Sequence, residues 1–178
     1  YRSFFRWANI LSIGTFSSLL GRKFPKVLVL EMGVDRKGDM DYLLSLVRPK
    51  IVILTTIDRS FPDNQATLDD IENEMRKLAE SVPQEGLVIL NGLDNRIRSL
   101  EGSCLSSKII YGFDEQCQVK IENLKETDCG QAFDLIWEGE RERIETAKFG
   151  NHTIAALTAA KILAREIKKF IQTNEHRD

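Results

Sequence analysis

Three short apolar runs, KVLVLE at 26–31, KIVILT at 50–55 and GLVIL at 86–90, limit the folds open to this chain more than any other feature. Each is a continuous block rather than an alternation, which suits a strand covered on both faces. Between the first two, Met40, Leu43, Leu44 and Val47 fall at helical spacing, with Asp39 as the expected N-cap and Pro49 as the stop. Between the second and third, a helix from about Leu68 to Ser81 places Ile71, Met75, Leu78 and Ala79 on one face. DDIENE at 69–74 reads as its solvated, charged face. Repeated strand–helix–strand units have right-handed crossovers and build a parallel sheet flanked by helices. The expected class is α/β.

After residue 107 the pattern changes. KIIYGF, CQVKIENL, AFDLIWEG and ERIETAKF alternate only partly and read as antiparallel strands between 108 and 148. EGER at 138–141 sits where a hairpin turn is needed, and ERER at 140–143 reads as a solvated hairpin face. His152 to about Gln172 reads as one helix, Ala-rich in its first half and basic in its second, where cations suit the negative end of the helix dipole. One domain over 26–178 is expected, and 178 residues are enough to bury a sizeable core.

Residues 1–25 are a separate N-terminal segment. FFRWANILSIGTFSSLL at 4–20 is apolar, but Arg6 and Asn9 interrupt it, and it is shorter than the ~20 residues that span a bilayer. No small-residue cleavage site follows it, so a signal peptide is a poor match. The start at Tyr1 reads as the start of a piece of something longer, with 1–25 as the remnant of a truncated beginning.

A net charge of −2 gives no basic excess for a phosphate backbone, so nucleic acid is not an expected partner. Cys104, Cys117 and Cys129 form no C-x-x-C pair, and the two histidines lie far from them, which argues against zinc. They read as reduced cysteines of a cytoplasmic protein.

Glu31 is the odd residue of the first run. A carboxylate at the edge of a core is costly unless it is paired, hydrogen-bonded or bound to a metal. A strand end that simply reaches water is the plainer reading. Gly33, two residues on, lets the backbone turn close to whatever Glu31 holds.

Four stretches, in this order, resemble the central, ATP-binding domain of the Mur ligases, and the F-type enzyme most. LEMGVDRKGDMDYLLSLVRPKIVILTTI at 30–57 resembles that family's strand, E-M-G, G-[DE]-[IM], helix, R-P, strand, T-N-I series. GLVILNGLDNRI at 86–97 resembles its strand followed by N-A-D-D. AFDLIWEGERERIETAKFGNH at 132–152 is similar to the hairpin leading to a G-x-H turn, and HTIAALTAAKIL at 152–163 to the helix that begins H-N-x-x-N-A-L-A-A. The resemblance implies phosphoryl transfer from ATP to a carboxylate, after which an amine displaces phosphate. It implies Mg²⁺ and ATP as cofactors and a UDP-muramoyl-peptide as partner, with further domains upstream and downstream. On this resemblance Glu31 is the candidate metal ligand, and Asp94, Asn151 and His152 are the candidate nucleotide-binding residues. Asp94 also fits a turn or N-cap role, and His152 a capping or packing role.

The sequence also departs from the family. No G-x-x-G-K-[ST] loop is present, and GRK at 21–23 lacks its spacing. Thr56 stands at the asparagine of T-N-I and Phe61 at or near a metal-binding histidine, where it offers no lone pair. Met75 stands at a lysine that is carbamylated to bind metal, and Lys77 lies two residues, about 200°, round the helix. The adenine-contacting asparagine falls at Ala155 or Ala156. Two functions follow as expectations. The first is the central piece of a peptidoglycan-precursor ligase, inactive as this chain alone; the second is a degenerate, non-enzymatic Mur-like module that binds or scaffolds.

Overall fold

The computed structural model describes residues 25–58 and 66–175. The chain divides into two compact units, Tyr1–Glu31 and Met32–Asp178. Of the first unit, residues 25–31 are described, and they form no strand. Val27, Leu28, Val29 and Leu30 are 38%, 62%, 75% and 48% exposed, so the expected strand at 26–31 is corrected. An apolar run favours burial, but a strand exists only where another strand accepts its ladder of hydrogen bonds.

The second unit carries α1 (Asp39–Leu46), β1 (Ile51–Leu54), α2 (Leu68–Glu80), β2 (Leu87–Asn91), α3 (Asn95–Ser99) and a 3₁₀ turn (Leu100–Ser103). These are followed by β3 (Ser107–Gly112), β4 (Val119–Thr127), β5 (Gly130–Trp137), β6 (Glu140–Thr146) and α4 (Asn151–Glu175). Among the described residues the strands form one six-stranded sheet in sequential order. β1, β2, β3 and the start of β4 are parallel; β4, β5 and β6 are antiparallel.

β3 is a second correction. KIIYGF was expected among antiparallel strands, yet β3 runs parallel to β2 in register from Ser107 to Tyr111. The crossover between them is the five-residue α3 and its 3₁₀ turn, too short to show helical periodicity in the sequence.

Alternation along β1–β3 divides the core into two layers. Val52, Leu54, Val88, Leu90 and Ile110 face Met40 of α1, Ile71, Leu78 and Ala79 of α2, and Ile97 of α3. Leu87, Ile89 and Tyr111 face the other way, with Phe133, Leu135 and Ile144, onto Ile154, Ala155, Ala159 and Ile162 of α4. Burying both faces explains why the parallel strands read as unbroken apolar runs.

The helix ends have local causes. α2 opens with a capping box: Thr67 accepts from the Asp70 N–H at 3.1 Å, and Asp70 accepts from the Thr67 N–H at 3.0 Å. α1 departs from expectation, because its N-cap is Gly38, at φ +95°. Asp39 instead accepts from the N–H groups of Asp35 and Arg36, closing the preceding turn. The β5–β6 turn stands where EGER placed it, with Glu138 and Gly139 both at positive φ.

Candidate functional site

The parallel strands present their carboxyl ends at Leu54, Asn91 and Gly112, where ligands collect in open α/β sheets. Two side chains from β2 and its exit loop bind the β1 end there. Buried Asn91 donates from Nδ2 to the Thr55 carbonyl at 2.6 Å, while its Oδ1 accepts from the Leu93 N–H.

Asp94 uses both carboxylate oxygens. Oδ1 accepts from the N–H groups of Arg96 and Ile97, making Asp94 the N-cap of α3. Oδ2 accepts from Thr56 Oγ1 and the Ile57 N–H, each at 2.9 Å. Thr56 is therefore held by Asp94. A polar residue immediately ahead of a short helix is the sequence signal for such a cap.

Beyond β2 and β3 the chain is closely packed. A Cβ at Gly92 would meet the Tyr111 carbonyl oxygen at 2.7 Å, and one at Gly112 would meet Cys117 Sγ at 3.1 Å. Arg98 secures the loop over them by donating to Asp114 and Gln116.

The G-x-H turn is built by β5. Gln131 donates to the Gly150 carbonyl and accepts from its N–H, both at 3.2 Å, and Gly150 sits at φ +91°. A Cβ at position 150 would lie 2.9 Å from the exposed His152 ring, which can turn aside, so the positive φ is what favours glycine there. Asn151 and His152 are exposed in the first turn of α4. Ala155, at or beside the expected asparagine, is buried in the core under α4.

Glu31 is exposed at the end of the first unit. Met75 is half-buried and packs against the layer of core between sheet and α2. Phe61 lies outside the described residues. Among the described residues no three His, Cys, Asp or Glu side chains gather into a group that could hold a metal ion. Mg²⁺ is commonly held by one or two carboxylates together with the phosphates and waters it carries.

One member of the acidic run on α2 is not solvated, which corrects the expectation for that face. Glu74, within DDIENE, is 1% exposed. Its Oε2 accepts from the Met40 N–H at 2.9 Å and its Oε1 from Lys77 Nζ at 2.7 Å. The overlooked signal was spacing: Ile71, Glu74 and Leu78 lie on one helical stripe. ERER at 140–143 is exposed but engaged. Arg141 and Arg143 donate to Asp134, Glu142 pairs with Lys161, and Glu140 with Arg165. The Asn123 amide and Arg143 hold the Asp134 carboxyl far below the usual carboxylate range.

The chain matches the family model of the Mur ligase middle domain over residues 9–164. Among solved structures, it is similar to MurF ligase from Thermotoga maritima in complex with ADP, with a TM-score of 0.69 and 15% identity. That match covers 85% of this chain and 35% of the other. It is also similar to MurF from Acinetobacter baumannii, at TM-score 0.66 and 17% identity over 76% of this chain and 30% of that one. A UDP-N-acetylmuramoyl-L-alanyl-D-glutamate–2,6-diaminopimelate ligase matches at TM-score 0.60 and 17% identity, covering 70% and 26%. The chain thus spans about a third or less of the solved relatives it matches. No helix among the described residues is long and apolar enough to cross a membrane.

Proposed function

This chain belongs to the Mur ligase family as a middle domain, and from that premise we propose that it is the central piece of a cytoplasmic, ATP-dependent ligase of peptidoglycan precursors. The parent would join an amino acid or dipeptide to a UDP-muramoyl-peptide. The observation that carries the reading is the parallel β1–β2–β3 core with polar side chains fixed at its carboxyl ends. Glu31 is the residue proposed to hold Mg²⁺, which when bound would neutralise phosphate charge during phosphoryl transfer. Asn151 and His152 are proposed to face nucleotide from the start of α4. Asp94 contributes on this reading by holding Thr56 and the Ile57 N–H in place.

Two observations favour the second reading, a degenerate module that binds or scaffolds. Asp94 already accepts four hydrogen bonds from its own chain, and Met75 supplies packing where the family resemblance implies a metal-binding lysine. Both readings assign this chain no ligase activity by itself. They separate on nucleotide. Without a phosphate loop, Mg-ATP should bind in the millimolar range at best, roughly −4 kcal/mol. Calorimetry decides: weak heat that disappears in Glu31→Gln supports the ligase piece, and no heat at all supports the module. Micromolar affinity would sink both, because the sequence would then hold a phosphate site elsewhere.

A further inference from the structure

Glu74 is a buried carboxylate to which the proposed function gives no role. Its helix, α2, does not need it, since the capping box closes that helix at Thr67 and Asp70. What needs it is α1. The N-cap of α1 is Gly38, which has no side chain to offer, and no side-chain cap forms there. The nearest local carboxylate, Asp39, is committed to the turn behind it through the N–H groups of Asp35 and Arg36. The opening N–H groups of a helix are left unpaired unless something outside the helix accepts from them.

We infer that Glu74 is a positioning residue that caps α1 from α2 and so fixes the turn at 36–38, a few residues after Glu31. Oε2 accepts from the Met40 N–H at 2.9 Å, while Oε1 takes the Lys77 ammonium at 2.7 Å. Lys77 also donates to Asp41 of α1 at 2.7 Å, so the two helices are joined at two successive points. Met40 is wholly buried beside this contact, which excludes water as a substitute acceptor. Burial alone would raise the Glu74 pKa. Lys77 and the N–H groups of Met40 and Gly38 more than offset that and hold it below the ordinary range. A ligand that shifts α2 would therefore drag the start of α1 and the turn with it. The inference rests on the proposed function only for the use made of that turn.

Amide hydrogen exchange on the full chain tests it, comparing wild type with Glu74→Gln, Glu74→Ala and Lys77→Met. Glu74→Ala should speed exchange at Met40 and through the first turn of α1 at least tenfold, while β2 and α4 keep wild-type protection. Glu74→Gln retains an acceptor and should fall between the two; it also serves if the alanine variant fails to fold. Lys77→Met should loosen the Asp41 side and leave the Met40 amide protected. Unchanged exchange at Met40 in both Glu74 variants overturns the inference. So does an equal rise across β2 and α4, which would make Glu74 a general stability residue. Glu31→Gln separates this inference from the metal reading: it should abolish any Mg²⁺ affinity and leave exchange at Met40 as in wild type.

Discussion

At the scale of single residues, the fold is specified by a few polar groups placed where water does not reach. Tyr111 is wholly buried under α4, and its hydroxyl has no hydrogen-bond partner among the described residues. Burial pushes the phenol well above its ordinary value of 10.0. The folded protein therefore holds this proton when an unfolded chain would release it. The stability contributed is complete below pH 10 and is lost as pH rises beyond it. In an alkaline titration followed by tyrosinate absorbance, one of the three tyrosines should stay silent until the chain unfolds. Three tyrosines ionising together before unfolding would contradict the buried placement. Asp94 gives a second residue-scale expectation. Asp94→Ala removes an N-cap and the tie to the β1 end together, so it should cost more than the about 1 kcal/mol typical of a cap alone. Urea denaturation of the two proteins measures this.

At the scale of elements, periodicity revealed some features and concealed others for identifiable reasons. β1, β2, α2 and α4 were legible because continuous apolar runs and i, i+3, i+4 stripes state which surfaces must be buried. β3's direction was not, since its crossover is shorter than the window over which a helix announces itself. Glu74 was hidden by its neighbours, because an acidic run suggests solvent even where one member lies on the apolar stripe. The site divided in the same way. Asp94's capping role followed from its place before a helix, whereas the grip on Thr56 joins residues 38 apart and no local pattern contains it. The second half of α4 illustrates another long-range tie. Arg165 stacks on Trp137 at 4.3 Å from the ring centroid and pairs with Glu138 and Glu140 across the β5–β6 turn. Arg165→Ala should free that half of the helix, costing about 1 kcal/mol. Faster amide exchange confined to residues 163–170 is the expected sign, and exchange unchanged there would show the stacking to be incidental.

For the whole molecule, the charge network predicts how it responds to pH. Asp39, Asp70, Glu74, Glu122 and Asp134 are all held below their ordinary values of 3.8 for aspartate and 4.5 for glutamate. The unfolded chain thus binds protons more readily than the folded one, and stability rises with pH through that range. It should be complete above about pH 5 and fall progressively below pH 4, with most of the loss screened by salt wherever the carboxylates are exposed. Lys77 and Lys120 are raised from 10.5 by their carboxylate partners, and their contribution is present below that value and lost above it. Thermal unfolding from pH 2 to 8 checks the acid limb; a flat profile would show the network to be energetically idle.

The strands lie side by side in the order in which they occur along the chain. Folding therefore need never thread one strand between two already paired. The β4–β5 and β5–β6 hairpins join near neighbours and can close early, whereas Ile51 must wait for Leu87 across the whole of α2. Because the loop-closure entropy of local contacts is small, such a sequential sheet should fold faster than a sheet of equal size whose strand order departs from the chain order. Substitutions in the β5–β6 hairpin should slow folding, and substitutions in β1 should chiefly hasten unfolding. On a ribosome the order of these six is reversed: β1 emerges before the hairpins and must wait for β2 to pair with it.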